Sequence, residues 1–146
     1  EIIRLFLTAL HPPTSLALLV QKEVAVRIAR SKKESILSLS VKTFGTPKYC
    51  FTVPRGAFVP APNVDSAVLT VSDIKSPFIS KKEERRFFDI LKAGFAHKRK
   101  LLIRNLEVIA PAGAISRAFQ SAGIAEKARA EDISLSSWYA LAKELK

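Results

Sequence analysis

The sequence has 146 residues, 48% of them hydrophobic, which supplies a core for one ordinary domain or two small ones and excludes a disordered polymer. Lys and Arg number 24 against 13 Asp and Glu, a net charge of +11 that favours a polyanionic partner, nucleic acid before a membrane surface, over a basic surface without one. One cysteine and two histidines exclude an internal disulfide and a zinc site and fit a reducing cytoplasm, and no apolar run reaches the ~18–20 residues of a membrane helix.

In chain order, Ile2, Ile3, Phe6, Leu7 and Leu10 recur at helical spacing and predict a helix over residues 1–10, ended by Pro12 and Pro13. A first residue of Glu, running straight into this pattern, suggests a piece of a longer chain. Ser15 to Val20 is nearly continuous apolar, the pattern of a strand buried on both faces in a parallel sheet. Gln21 to Arg30 resumes helical spacing through Val24, Ala25 and Ile28. Ser31-Lys32-Lys33-Glu34 has the form of a capping box, opening a helix that stops near Gly45. Lys48 to Pro54 predicts a strand, with Cys50 a small buried hydrophobe between Tyr49 and Phe51. Gly56 to Asn63 is a loop and Val64 to Ser72 another strand.

The composition shifts at Lys75-Ser76-Pro77, and only helical patterns follow. Ser80-Lys81-Lys82-Glu83 is a second capping box, heading a helix with Phe87, Leu91 and Phe95 as its stripe. Residues 97–107 read as a basic helix or helical turn. A further helix spans 112–122, stopped by Gly123, and a last one spans 134–145 with Leu135, Trp138, Leu141 and Leu145 inward. The expected fold class is therefore α/β over residues 1–75, followed by a small all-helical domain over 76–146.

Two segments carry candidate chemistry. In Gly56-Ala57-Phe58-Val59-Pro60-Ala61-Pro62-Asn63-Val64-Asp65-Ser66, two prolines stiffen a loop behind Phe58. The ring either stacks on a flat ligand, such as a flipped-out base, or plugs the end of the sheet as core. Asp65 is expected to hydrogen-bond loop N–H groups or neutralise Arg55, in preference to acting as a catalytic carboxylate. In Phe95 to Leu106, the cations Lys98, Arg99, Lys100 and Arg104 stand without an acid among them, with Lys100 and Arg104 on one face if the segment is helical. Such a cluster either meets phosphates or is a solvated face. No Gly-x-Gly-x-x-Gly, phosphate-binding loop or nucleophile elbow is present.

The Gly56–Val68 stretch resembles the loop motif of the small-subunit rRNA adenine dimethyltransferases, the kasugamycin-resistance type. Leu19 to Ile28 resembles that family's strand-to-helix segment, Phe95 to Lys100 with Arg104-Asn105-Leu106 its basic helix, and Arg129-Ala130-Glu131 its C-terminal stretch, all in the right order. The family usually has Lys where this chain has Asn63, Pro where it has Arg55, and commonly Gln where it has His97.

The resemblance implies a Rossmann-like methyltransferase domain followed by a helical one. The reaction would be transfer of methyl groups from S-adenosylmethionine to the N6 amines of two adjacent adenosines in small-subunit rRNA. It implies that Phe58 is a catalytic-site ring against the target adenine and that Arg55, Lys98, Arg99, Lys100 and Arg104 contact the rRNA or pre-ribosomal small subunit. The family's donor-binding glycine motif, ribose-binding acid and Asn-x-x-Tyr motif would all precede Glu1, so this sequence contains no cofactor-binding residues of its own. A non-catalytic RNA-binding or ribosome-assembly factor is the alternative.

Overall fold

The computed structural model describes residues 2–145, which divide into two compact units: residues up to Lys32 with Leu37–Pro77, and Lys33–Ile36 with the residues from Phe78 onward.

The first unit is built on three strands, β1 (Leu16–Gln21), β2 (Thr46–Val53) and β3 (Ser66–Ser72), in the order β1-β3-β2 with both pairings antiparallel. This corrects the parallel, doubly buried reading of Ser15–Val20. β1 is an edge strand among the described residues, and its burial alternates, with Leu19 54% exposed. A continuous apolar run does not distinguish a strand covered on both faces from one covered on a single face. Register puts Leu19, Val68 and Phe51 in one row on one face, and Leu18, Leu69 and Tyr49 in a row on the other. The second row is core, with Ala67, Leu69 and Val71 fully buried on β3. Helix α2 (Lys22–Ala29) packs against the strands and buries Ala25 and Ile28.

Helix α1 is shorter than expected, Ile2–Leu7; the Thr8 hydroxyl donates to the Arg4 carbonyl at its end. Residue 1 of that expectation lies outside the described residues. The Ser31–Glu34 capping box does not open a helix. The Glu34 N–H donates instead to the Glu131 carbonyl (2.9 Å), and α3 begins at Ile36 and runs to Phe44. Gly45 follows because a Cβ there would meet Val71 Cγ1 at 2.7 Å and the Ser72 carbonyl at 2.8 Å. Cys50 is exposed, not buried. β2 bulges between Tyr49 and Phe51, so Cys50 has no partner residue on β3 and turns outward, its Sγ 3.5 Å from Thr70 Oγ1.

The second unit is helical: α4 (Lys81–Gly94), α5 (Leu102–Leu106), α6 (Ala112–Ser121) and α7 (Leu135–Glu144). The second capping box forms. Ser80 Oγ accepts from the Glu83 N–H, while the Glu83 carboxylate reaches back one residue further than usual, to the Ile79 N–H. α4 packs on α5 and α7, and α6 packs on the same two, closing the ring around a fully buried Trp138. The indole stacks on Phe95, with ring centroids 5.6 Å apart. Gly94 is glycine because a Cβ would collide with the Trp138 ring and sit 2.9 Å from Leu102. α6 ends in a Schellman turn: Gly123 has φ +63°, and the Ile124 N–H donates to the Phe119 carbonyl.

Candidate nucleic-acid interface

In the first unit, a 3-10 turn at Arg55–Ala57 leads off β2, and Phe58 closes it, its N–H donating to the Arg55 carbonyl. Phe58 is half-buried and has no ring partner among the described residues, while Val59 beside it is fully exposed. Asp65 pins both ends of the loop. Its Oδ1 accepts from the Arg55 N–H (3.0 Å), and its backbone carbonyl accepts from the Lys22 N–H (3.0 Å) at the β1–α2 junction. The expected bond from Asp65 to loop N–H groups is thus what the structure has; its carboxylate takes the Arg55 backbone and not the guanidinium.

The same junction and loop enclose an open cavity of about 530 Å³, lined in part by Gln21, Lys22, Arg55, Asn63 and Asp65. Sequence reasoning singled out Arg55 and Asn63 but passed over Gln21 and Lys22. Two polar residues ending an apolar strand were the available signal.

In the second unit the basic segment is not one helix. His97–Lys100 form a turn, with the Lys100 N–H donating to the His97 carbonyl, and α5 starts at Leu102. Lys100 and Arg104 therefore do not share a helical face. Lys98, Arg99 and Lys100 are exposed and have no ion-pair partner among the described residues. Arg104 does have one, Glu107 at 2.8 Å. The segment read as a helix or helical turn is thus a turn followed by the short helix α5, and buried Asn105 within α5 holds the turn. Its Nδ2 donates to the carbonyls of Gly94 (2.6 Å) and His97 (3.1 Å), tying the turn to the end of α4. The structure thus brings Arg55 and Phe58 together in one pinned loop, and Lys98, Arg99 and Lys100 together in one anchored turn.

The residues present do not fit a methyl-donor site. A Rossmann-type donor cradle places glycine where a strand turns into a helix, so that backbone can approach the donor. The β1–α2 junction, Gln21-Lys22, has none, and the five glycines lie elsewhere. Among the described residues no group of three or more His, Cys, Asp or Glu side chains is placed to hold a metal ion, and no helix is long and apolar enough to cross a membrane.

A family profile described as ribosomal RNA adenine dimethylase matches residues 1–146. The ribosomal RNA small subunit methyltransferases A of two Streptococcus pneumoniae strains, CGSP14 and D39, are each 37% identical over 143 residues, covering 92% of this chain and 49% of theirs. The chain thus spans about half the length of the curated relatives it matches. Among solved structures, a dimethyladenosine transferase from Plasmodium falciparum superposes with a TM-score of 0.80 at 20% identity, covering 96% of this chain and 60% of the other. The 23S rRNA methyltransferase ErmE does so at 0.76 and 20% identity, covering 99% and 59%. At that identity they share the fold, a Rossmann-like α/β methyltransferase architecture.

Proposed function

The chain belongs to the ribosomal RNA adenine dimethylase family, and from that premise we propose that it supplies the acceptor side of an S-adenosylmethionine-dependent rRNA adenine N6-dimethyltransferase. In this reading it acts in the cytoplasm on two adjacent adenosines of small-subunit rRNA. Residues 1–75 are the acceptor-side part of the catalytic domain and 76–146 the helical domain. The donor is held by residues this sequence does not contain.

The observation that carries the reading is a ring with no aromatic partner, Phe58, on a loop pinned at both ends by Asp65. An adenine amine inside a helix is out of reach, so the base must leave its stack, at a cost of a few kcal/mol. Stacking on an aromatic side chain returns ~1–3 kcal/mol per base. A pinned loop adds no ordering cost when the base arrives. Lys98, Arg99 and Lys100, with Arg55, hold the strand by its phosphates, and Arg104 contributes less because Glu107 shares its charge.

Phe58→Ala is the test, in a protein of the relatives' full length supplied with donor. Losing one stacked base lowers kcat/KM for rRNA by about 10- to 100-fold, and Phe58→Trp restores most of it. Unchanged kcat/KM for rRNA would reject the role of Phe58, whereas no methyl transfer by the parent full-length protein would return the chain to a non-catalytic RNA binder. On the binding side, four phosphate-facing cations give a slope of log affinity against log salt of roughly −3 to −4.

A further inference from the structure

We propose that the cavity at the β1–α2 junction is a second nucleotide site, separate from the Phe58 ring, that takes the phosphate and base of a nucleotide flanking the target. The inference rests on the RNA-acceptor reading and adds to it a subsite. At about 530 Å³ the cavity falls within the ~300–1,000 Å³ of small-molecule sites.

The lining sorts by chemistry. Val26 and Val64 supply an apolar floor, and Lys22, Arg55, Gln21 and Asn63 supply hydrogen-bond donors. The two acids that also line it are already engaged. Glu23 pairs with Arg27 one turn along α2, and Asp65 Oδ1 accepts from the Arg55 N–H. The Lys22 and Arg55 side chains, by contrast, have no ion-pair partner among the described residues. With Glu23 answered by Arg27, Lys22 and Arg55 leave one positive charge in excess of the ionised Asp65, a balance that favours an anion. An arginine and a lysine flanking an apolar floor suit a phosphate attached to a flat base better than a bare phosphate. The walls are also preformed: Asp65 bonds to Arg55 on one side and to Lys22 on the other, fixing the loop against the junction.

The site is tested on the whole 146-residue chain by following backbone amide resonances while titrating adenosine 5′-monophosphate, adenosine or inorganic phosphate. The monophosphate is expected to shift residues 21–23, 26, 55 and 63–65 saturably. Adenosine and inorganic phosphate each bind at least tenfold more weakly, and the double variant Lys22→Ala/Arg55→Ala loses the response. Equal binding of inorganic phosphate would overturn the base contact. No saturable shift at these residues, or a response unchanged in the double variant, would overturn the site. Should the double variant fold poorly, the ranking of the three ligands on the parent chain still decides.

A Lys98→Gln/Arg99→Gln/Lys100→Gln variant separates this proposal from the broader one. It should weaken RNA binding while leaving the monophosphate response intact. If it leaves RNA binding unchanged, the basic turn drops out of the acceptor-side reading, and the monophosphate response still decides the pocket.

Discussion

The two units close their cores differently. The helical unit surrounds its largest side chain, Trp138, with α4, α5, α6 and α7, and leaves it fully buried. The sheet unit buries one face, Leu69 and its neighbours, under α2. On the other face Leu19 and Phe51 flank Val68 at 54% and 58% exposure. A helix ring can satisfy its apolar stripes internally, whereas a three-stranded sheet covered on one side leaves the other to solvent or to further chain. The matched relatives are about twice as long, and an open sheet face is where additional layers of an α/β fold would pack.

That contrast can be broken by substitution. Trp138→Ala should have the largest effect, about 3–5 kcal/mol in chemical denaturation, because the ring is fully buried, stacked on Phe95 and packed against Gly94 at the end of α4. Leu69→Ala on the covered sheet face should cost ~2–5 kcal/mol, but Phe51→Ala on the open face less than ~1 kcal/mol. Equal costs for Leu69 and Phe51 would mean that both faces are covered in solution.

The smallest effect is electrostatic. Lys33 bonds to Asp132 (2.5 Å) and lies 3.1 Å from Glu131. The hydrogen bond from Lys33 holds the Asp132 carboxyl below the usual carboxylate range, and the same bond raises the Lys33 ammonium. A depressed carboxyl stabilises the folded state above its unfolded pKa, and that contribution disappears as pH falls through the folded value. A raised ammonium stabilises below its unfolded pKa and loses this as pH rises through the folded one. Denaturation midpoints of Lys33→Ala should therefore converge on those of the parent chain at both the acid and the alkaline extreme. A constant gap across the whole range would assign the effect to packing.

Much of the architecture was legible from local pattern. Ser80-Lys81-Lys82-Glu83 did open a helix, Gly123 did end one, and Trp138 and Leu141 did face inward. The failures share a cause. Ser31–Glu34 has the same lettering as Ser80–Glu83, yet its amide at Glu34 went to Glu131, nearly a hundred residues away. The basic stretch after Phe95, read as a helix or helical turn, divides into a turn and α5, and which part is helix was set by Asn105, whose buried amide holds the Gly94 and His97 carbonyls. Cys50 was misplaced because a bulge changes the phase of a strand. For the site, Phe58 and the cations were readable as residue types, but the junction that joins Lys22 to Arg55 was not, since 33 positions separate them and only Asp65 connects both.

By itself the sequence determined the α/β-then-helical order, the basic charge and the proline-stiffened loop, because these follow from periodicity, composition and fixed φ, which act over a few residues. Tertiary structure alone decided strand order and direction, which amide a carbonyl captures and which acids remain free to oppose a cation. Those outcomes depend on partners far along the chain, and no local spacing encodes them.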